Sequence, residues 1–326
     1  MYWYNKKGSE QDVFLSSRVR FARNLVDYPF EPLLADAAAK EICQKVSEAL
    51  ILQGYEAADI KGKGDVLAES HIISYELAEK NTPCALLSSG DVHVMVCEED
   101  HLRIQAIKAG FELEKAYKEA SEAEALLDEK LNFAFDEKLG YLTHCPTNLG
   151  TAMRASVMMF LPALTMTSRI KGIENQLSKL GLTVRGSDGE GSGAKGCLYQ
   201  ISNRAGLGLS EEEIISNLKN AAKSIASAER EVREKLNEQR GDALKDKIMR
   251  SVGVLNYAYM ISSEELFELY ADVRLGASLG MVEKDPAQID TMLFENLPCH
   301  IKSEEGVLSP AERDKARAKR VHLNNI

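Results

Sequence analysis

Residues 141–157 of this 326-residue chain read YLTHCPTNLGTAMRASV. The segment passes from an alternating, strand-like stretch into a turn at Cys145-Pro146, and then into a helix-compatible run that carries Arg154. A proline restricts the residue before it to extended backbone, so the strand should end at Cys145. A cysteine at the end of a strand, with an arginine nine residues further on, favours a site that binds a guanidinium group and phosphates together.

Outward from this segment, the sequence predicts a mixture of short strands and helices. Strands are predicted at 85–87, 92–96, 182–184 and 197–201, and helices at 36–53, with Asp36 as N-cap, and at 113–131. A third helix begins at Ser210 with acidic residues in its first turn and runs to Gly241. The strands do not alternate regularly with helices. The pattern therefore predicts an α+β fold, with a mostly antiparallel sheet flanked by helices, rather than a doubly wound parallel sheet.

The chain after Gly241 looks almost wholly helical and is rich in Leu, Ala and Glu. We place a domain boundary there, which gives a mixed domain at 1–240 and a small all-helical domain at 241–326.

Composition restricts the class of protein. The formal net charge of −10 argues against general affinity for nucleic acid, and it requires an anion site to concentrate its arginines locally. The six cysteines form no CxxC pair, so neither a zinc site nor a disulfide framework is expected. The N-terminus lacks the order of a signal peptide, and no apolar run approaches the roughly 20 residues that span a bilayer. A cytoplasmic location without membrane contact is predicted.

Candidate anion ligands are arginines in four separate segments. The chain has no GxxxxGK[ST] loop and no HRD or DFG pattern, which excludes a P-loop enzyme and the common protein kinases. Arg18 and Arg20 alternate in a strand-like context and should share a face, beside Arg103, Arg154 and Arg185 elsewhere. The guanidinium groups of several arginines that converge on one triphosphate could bind its phosphates in place of a glycine-rich loop. A solvated edge strand is the alternative for Arg18 and Arg20.

Residues 16–20, 98–103, 142–158 and 185–203 together resemble the phosphagen (ATP:guanido) kinase superfamily, and most closely its bacterial branch that phosphorylates arginine in proteins. Gln200 stands where arginine and creatine kinases usually carry Asp, and the chain begins almost at the Ser16–Arg20 strand, without their N-terminal helical domain. The tail Arg313–Ala318 fits the RDxxRA motif of the branch. The resemblance implies a phosphagen kinase/glutamine synthetase-like catalytic domain.

The resemblance also implies catalytic roles. Glu99 is expected to be the principal base, which accepts a proton as the guanidinium nitrogen attacks the γ-phosphorus, and Glu190 the clamp and helper. Cys145 matches the family's reactive cysteine, whose thiolate would steer the guanidinium without becoming phosphorylated. The alternatives are a solvated acidic turn at 98–100 and a buried, inert cysteine.

ATP is implied as the phosphoryl donor, with Mg²⁺ bridging its phosphates through mostly water ligands and without a dedicated metal cage. The residues that the family match places around ATP are Ser16, Ser17, Arg18, Val19, Arg20, His71, Arg103, Arg154, Ala155, Ser156, Val157, Met158, Arg185, Gly186, Ser187, Asp188, Gly189 and Glu190.

The helical domain is implied to form a homodimer and to bind phosphoarginine through Arg313, Asp314, Arg317 and Ala318. Arg313 and Arg317 stand four residues apart, on one helix face; an ordinary charged terminal helix is the alternative. Implied partners are substrate proteins that bear arginine, an activator protein, a stress-response repressor and a Clp unfoldase. Two other functions stay open: a kinase for free arginine or another small guanidino compound, and an inactive adaptor that binds phosphoarginine.

Overall fold

A computed structural model describes residues 2–31, 33–186 and 194–322. Strand β1 (Phe14–Arg23) lies at the centre of a sheet that contains eight strands within these residues, in the order β2-β3-β4-β5-β1-β8-β10-β9. The other strands are β2 (Glu56–Ala57), β3 (Ala85–Ser89), β4 (Val92–Val96), β5 (Leu102–Ala109), β8 (Met153–Phe160), β9 (Leu182–Gly186) and β10 (Leu198–Asn203). All pairings between these strands are antiparallel, which confirms the predicted fold class. A short hairpin of β6 (Phe135–Asp136) and β7 (Gly140–Tyr141) stands apart from the sheet.

The prediction of a helix around Arg154 is wrong, because residues 153–160 form strand β8 between β1 and β10. Met, Ala and Arg favour a helix in isolation, but pairing with two strands overrides this preference. Strand β5 was also not predicted. The N-cap of helix α1 (Asp36–Ile51) lies one residue earlier than predicted: it is Ala35, and Asp36 is an acid of the first turn.

One face of the sheet is apolar. The other, here called the polar face, carries polar side chains around β1 and β8, but Ile107, Met158 and Phe160 on it belong to a second hydrophobic cluster. Helices α1, α4 (Leu113–Asp128) and α7 (Glu211–Tyr257) cover the apolar face, where Val19, Phe21 and Val157 belong to the main hydrophobic core. Because side chains alternate along a strand, the residues between them point to the opposite face. Helices α2 (Ile60–Glu69) and α3 (Tyr75–Glu79) precede β3, and α5 (Pro162–Met166) and α6 (Ile170–Lys179) connect β8 to β9.

The C-terminal part of the chain is helical, as predicted. Helix α7 starts with a capping box between Ser210 and Glu213 and is interrupted at Arg240, whose φ is −135°. It is followed by α8 (Ser263–Ser278), α9 (Pro286–Phe294), α10 (Pro298–Glu305) and α11 (Pro310–Arg320). A second hydrophobic core joins these helices to Trp3, Tyr4 and the sheet residue Phe160. No helix of the described ranges is long and apolar enough to cross a membrane.

A buried ion pair ties the helical part to the start of β1. The fully buried guanidinium of Arg274 donates to both carboxylate oxygens of Asp290, at 2.6 and 3.1 Å, and to the carbonyl of Gln11 at 2.8 Å. Removing one partner leaves an uncompensated buried charge, so Asp290→Ala should lower the free energy of unfolding by about 3–5 kcal/mol. Urea denaturation would measure this. The matched change Asp246→Ala, in an exposed pair with Arg250, should cost under about 1 kcal/mol; similar losses in the two variants would contradict the assignment.

A buried histidine makes the fold sensitive to acid. His300 Nε2 lies 3.0 Å from Ser70 Oγ and 3.3 Å from the Tyr4 hydroxyl. Burial lowers the pKa of His300 to about 4 from an ordinary value of 6.5. Between these values the unfolded chain binds the proton and the folded protein does not. Stability is therefore expected to fall as the pH drops from about 6.5 towards 4, by up to about 1.4 kcal/mol per pH unit for this residue.

His300→Gln should flatten this part of the stability profile, since glutamine keeps a hydrogen-bonding group and does not titrate. Urea denaturation at several pH values would measure the slope, with the exposed His144 changed to Gln as the control. An unchanged slope in His300→Gln would show that another group causes the acid sensitivity.

Candidate active site

The five candidate arginines lie on the polar face of the sheet. Strand register pairs Arg20 with Arg154 across β1 and β8, and Ala22, on the same face, with Arg103 of β5. Arg185 of β9 is paired with Gln200 of β10, which is itself opposite Met158 on β8. Residues directly opposite each other in a sheet share a face. Four separate segments of sequence therefore meet on one surface, which we call the arginine face: Arg18, Arg20, Arg103, Arg154 and Arg185.

Like charges crowd this surface. Burial, together with the nearby Arg154 and Arg103, lowers the pKa of Arg18 to about 10. Burial and the charges of Arg18, Arg103 and Arg154 also lower the pKa of Arg20 well below its ordinary value. The positive charges thus destabilise one another in the free protein, and an anion that binds here relieves the repulsion. This is the electrostatic signature of a polyanion site.

Several contacts fix the guanidinium groups in place. Arg103 donates to Glu98 Oε1 at 2.9 Å and to Glu99 Oε2 at 3.1 Å. Arg154 donates to Ser202 Oγ at 3.1 Å, and Arg18 to the carbonyl of His71 at 3.4 Å. His71 has a positive φ of 59° in the turn after α2, which brings its carbonyl to the arginine face. The side chains are therefore held before any ligand arrives.

The two glutamates of the β4–β5 turn have different environments. Glu98 is buried, accepts hydrogen bonds from Ser74 Oγ and from the Glu99 amide, and forms an ion pair with Arg103. Glu99 is 37% exposed and lines a cavity together with Arg20, Arg103, Arg154 and Asn148. Glu98 thus positions Arg103, whereas Glu99 presents a carboxylate to a space that cationic groups surround.

The loop that carries Cys145 is attached to the same turn. Asp100 Oδ1 accepts hydrogen bonds from the His144 amide at 2.7 Å and from Asn24 Nδ2 at 2.6 Å. Cys145 is half-buried, and its Sγ lies 3.0 Å from Thr147 Oγ1. The next residues, Thr147 and Asn148, line cavities on the arginine face. Asp100 therefore couples the position of the cysteine loop to that of Glu99.

Two further cavities extend the site along the sheet. One is lined by Arg154, Arg185 and Asn148, and also by Asn203 and Arg204. The other lies on the opposite side of Arg18 and is lined by Trp3, Ser16, Arg18, His71, Ile107, Ser156, Met158 and Gln200. Arg154 and Asn148 line both the first of these cavities and the Glu99 cavity, so the two adjoin on the arginine face. No group of three or more metal-binding side chains occurs among the described residues.

The lining or positioning residues that were not predicted include Glu98, Asn148, Asn203 and Arg204. Arg204 follows Gln200 and Ser202 at intervals of two, so strand alternation could have found it. Nothing in the sequence distinguishes the buried Glu98 from its neighbour Glu99.

Two family models match the chain. Residues 36–232 match the C-terminal catalytic domain of the ATP:guanido phosphotransferases, and residues 241–325 match the C-terminal domain of protein-arginine kinase McsB. The protein-arginine kinase of Caldanaerobacter subterraneus subsp. tengcongensis is 40% identical in an alignment 325 positions long, which covers 96% of each chain. That of Halothermothrix orenii is 42% identical in an alignment 329 positions long, which covers 97% of this chain and 94% of the relative.

This chain belongs to the protein-arginine kinase family. Among solved structures, the substrate-free duplicated taurocyamine kinase from Schistosoma mansoni is similar in fold, with a TM-score of 0.59 and 23% identity over 80% of this chain. The present chain spans 40% of that duplicated protein. A lombricine kinase structure gives a TM-score of 0.54 at 22% identity and covers 69% of this chain and 68% of its own. These similarities concern the fold.

The nucleotide residues predicted from the resemblance stay a prediction, but alternate side chains of β1 and β8 point away from the arginine face. Val19, Ala155 and Val157 are buried in the main hydrophobic core. The Ser17 hydroxyl is buried beside them, where it donates to the Gly110 carbonyl at 2.9 Å and accepts from the Glu112 amide at 3.0 Å. These four side chains support the arginine face from behind and cannot contact a ligand bound to it.

Part of the predicted site lies outside the described residues, namely Ser187, Asp188, Gly189 and Glu190. Gly186, the last residue of β9, is described and follows Arg185 directly. The assignment of Glu190 as clamp stays a prediction.

The predicted phosphoarginine residues of the kinase lie on α11, away from the arginine face. Arg317 is fully buried and donates to the carbonyls of Asn296 and Ile261, at 2.9 and 2.7 Å, and to Asp314 Oδ1 and Ser263 Oγ. Ala318 belongs to the second core. Arg313 is half-buried. The guanidinium of Arg317 is thus engaged by protein oxygens and has a structural role in this conformation.

Proposed function

We propose that this protein is a protein arginine kinase, which transfers the γ-phosphoryl group of ATP to arginine side chains of proteins. One observation carries the proposal: Glu99, a carboxylate, shares a cavity with Arg20, Arg103 and Arg154. A guanidinium substrate needs an acidic partner, and a triphosphate needs several cationic ones. Both requirements are met within one space. The family membership supports the same chemistry.

In the proposed reaction, a guanidinium nitrogen of the substrate forms a bond to the γ-phosphorus as the bond from this phosphorus to the β-phosphate oxygen breaks. Glu99 orients the guanidinium and accepts the proton that the nitrogen loses. The arginine face stabilises the charge on the transferring group and on the departing diphosphate without having to reorganise. Mg²⁺ is proposed to accompany ATP and to neutralise phosphate charge. Phosphate and water oxygens would supply most of its ligands, which suits a face built from arginines.

Cys145 and Glu190 are proposed to assist at the guanidinium. The attachment of the cysteine loop to Asp100 supports the role of Cys145, since it fixes this loop relative to Glu99. A thiolate at Cys145 would add negative charge near the substrate cation.

One assay separates the proposed function from the other two. The protein is incubated with ATP and Mg²⁺, and with either an arginine-rich protein or free arginine, and acid-labile phosphate is measured. Label on protein alone supports a protein arginine kinase, and label on free arginine indicates a small-molecule guanidino kinase. Absence of turnover with both would indicate an adaptor and contradict the proposal.

The C-terminal region is proposed to form a separate domain at 241–326 that binds phosphoarginine and mediates a homodimer. The interruption of α7 at Arg240 supports the boundary. Arg313 would supply the accessible guanidinium, while Arg317 holds Asp314 in place. Calorimetric titration with phosphoarginine tests this, and binding that survives Arg313→Ala would refute it.

The resemblance also leads us to propose a cytoplasmic location and three partners. These are an activator protein, a stress-response repressor as substrate and a Clp unfoldase; co-purification would test them.

A further inference from the structure

Two cysteines meet behind the β4–β5 turn that carries Glu98 and Glu99, which we call the catalytic turn. Cys97, the residue before Glu98, is fully buried, and its Sγ lies 3.9 Å from the Ala39 carbonyl oxygen. In helix α1 the same carbonyl accepts the amide of Cys43, four residues on. The two thiols also share a hydrogen bond, so the side chains of Cys43 and Cys97 lie next to each other, on the side of the turn that faces α1. Cys43 is only half-buried, so small solutes can reach it.

The surroundings of the pair distinguish the two thiols. A hydrogen bond with Cys97, and more weakly the charge of Lys80, lower the pKa of Cys43 against the effect of burial. The same hydrogen bond and burial raise the pKa of Cys97. Lys80 also donates to the Glu98 carbonyl at 2.9 Å, so the cation that faces the thiols is attached to the catalytic turn. A thiolate is the reactive form of cysteine, and it is here favoured at the more accessible residue.

We propose that Cys43 and Cys97 are a redox modification site, at which a peroxide converts the two thiols into a disulfide that displaces the Glu98–Glu99 turn and lowers phosphoryl transfer. The effect on activity rests on the proposed function; the disulfide chemistry does not.

The chemistry has two balanced steps. The Cys43 thiolate attacks one peroxide oxygen, an S–O bond forms, the O–O bond breaks, and a proton converts the departing hydroxide into water. The sulfur of Cys97 then attacks Cys43 sulfur, the S–S bond forms and the S–O bond breaks. The second hydroxide takes the proton that Cys97 loses and leaves as water. Two thiols lose two electrons in all, and one peroxide is reduced to two waters.

The disulfide would displace the turn because it shortens the distance between the two sulfur atoms. A disulfide brings the sulfur atoms to about 2.05 Å, well inside the non-bonded contact, so the bond would draw Cys97 and α1 together. The Cys97 amide donates to the His101 carbonyl at 2.8 Å, and Glu98 and Glu99 lie between these two residues. Both glutamates bind Arg103. A shift of Cys97 thus alters the proposed base and one phosphate ligand together.

The test is peptide mapping of the full-length protein after graded hydrogen peroxide, with free thiols blocked and digestion under non-reducing conditions. A peptide that links Cys43 to Cys97, and that disappears with dithiothreitol, is expected. The matched control is Cys84→Ser, which removes another half-buried thiol and should leave the linked peptide unchanged. Absence of the 43–97 peptide at doses that oxidise Cys145, or a link from Cys43 to Cys84 instead, would overturn the proposal.

Activity gives a second readout. Wild type and Cys84→Ser should lose phosphotransfer to peroxide and regain part of it with dithiothreitol. Cys43→Ser should lose only the fraction of its phosphotransfer activity that depends on Cys145, and it should lose this fraction more slowly than wild type loses activity. Cys43→Ala replaces it if the serine variant folds poorly. Equal rates in wild type and Cys43→Ser would refute the effect on activity. If the protein were not a kinase, the linked peptide would still form, so the two failures are distinguishable.

Discussion

Glu99→Gln is expected to lower kcat for protein arginine phosphorylation by about 100- to 10 000-fold, the range that a positioned general base contributes. Glutamine keeps the size of the side chain and one hydrogen-bonding oxygen, but it cannot accept a proton. MgATP binding should be largely retained, because the arginine face keeps all of its cationic groups. Single-turnover kinetics would give the loss in transfer, and calorimetry the nucleotide affinity. The two measurements together separate chemistry from binding.

The control is Glu119→Gln, which removes a carboxylate of α4 that pairs with Lys108 and lies on the helix-covered side of the sheet. Its kcat and nucleotide affinity should match those of wild type. An equal loss of transfer and of MgATP binding in Glu99→Gln would refute the assignment of Glu99 as base. It would indicate instead that Glu99 acts mainly by holding Arg103.

Arg20→Ala is expected to weaken MgATP binding about 10- to 100-fold, since a hydrogen bond to a charged group is worth about 1.5–3 kcal/mol. The free protein, in contrast, should be as stable as wild type or more stable. Burial and three neighbouring arginines lower the pKa of Arg20, so its charge destabilises the folded protein until an anion binds. Thermal unfolding with and without MgATP would show both effects: an unchanged or higher Tm alone, and a smaller rise with nucleotide.

Arg250→Ala is the matched control, because Arg250 is an exposed arginine of α7 that pairs with Asp246. It should leave the nucleotide-dependent rise in Tm unchanged. If Arg20→Ala destabilised the free protein and retained full MgATP affinity, Arg20 would be a structural residue and the anion site would lie elsewhere.

Much of the site could be predicted because strand alternation is a local rule. The spacing of Arg18 and Arg20 gives a shared face directly. The convergence of Arg103, Arg154 and Arg185 on that face depends on the strand order β5-β1-β8-β10-β9, which no local pattern contains. The family resemblance supplied it. The predicted contiguous ranges around Arg18 and Arg154 do not separate the side chains on the arginine face from those that alternation buries, such as Val19 and Val157.

Other features depend on contacts that sequence spacing cannot reveal. The spacing of Arg313 and Arg317 places both on one helix face, but the contact of that face with Ile261 and Asn296 buries Arg317. Likewise, Met, Ala and Arg in 153–160 favour a helix, and only the two neighbouring strands make this segment a strand. The proximity of Cys43 to Cys97 also arises from packing between α1 and the end of β4.

A crystal structure of the protein with MgATP would locate the triphosphate. Its phosphate oxygens should lie within about 2.7–3.2 Å of guanidinium nitrogens on the arginine face, with Arg20, Arg103 and Arg154 among the ligands. The γ-phosphate should face the cavity that Glu99 lines. A nucleotide bound to another surface, or phosphates that contact none of these arginines, would contradict the proposed site and with it the proposed reaction.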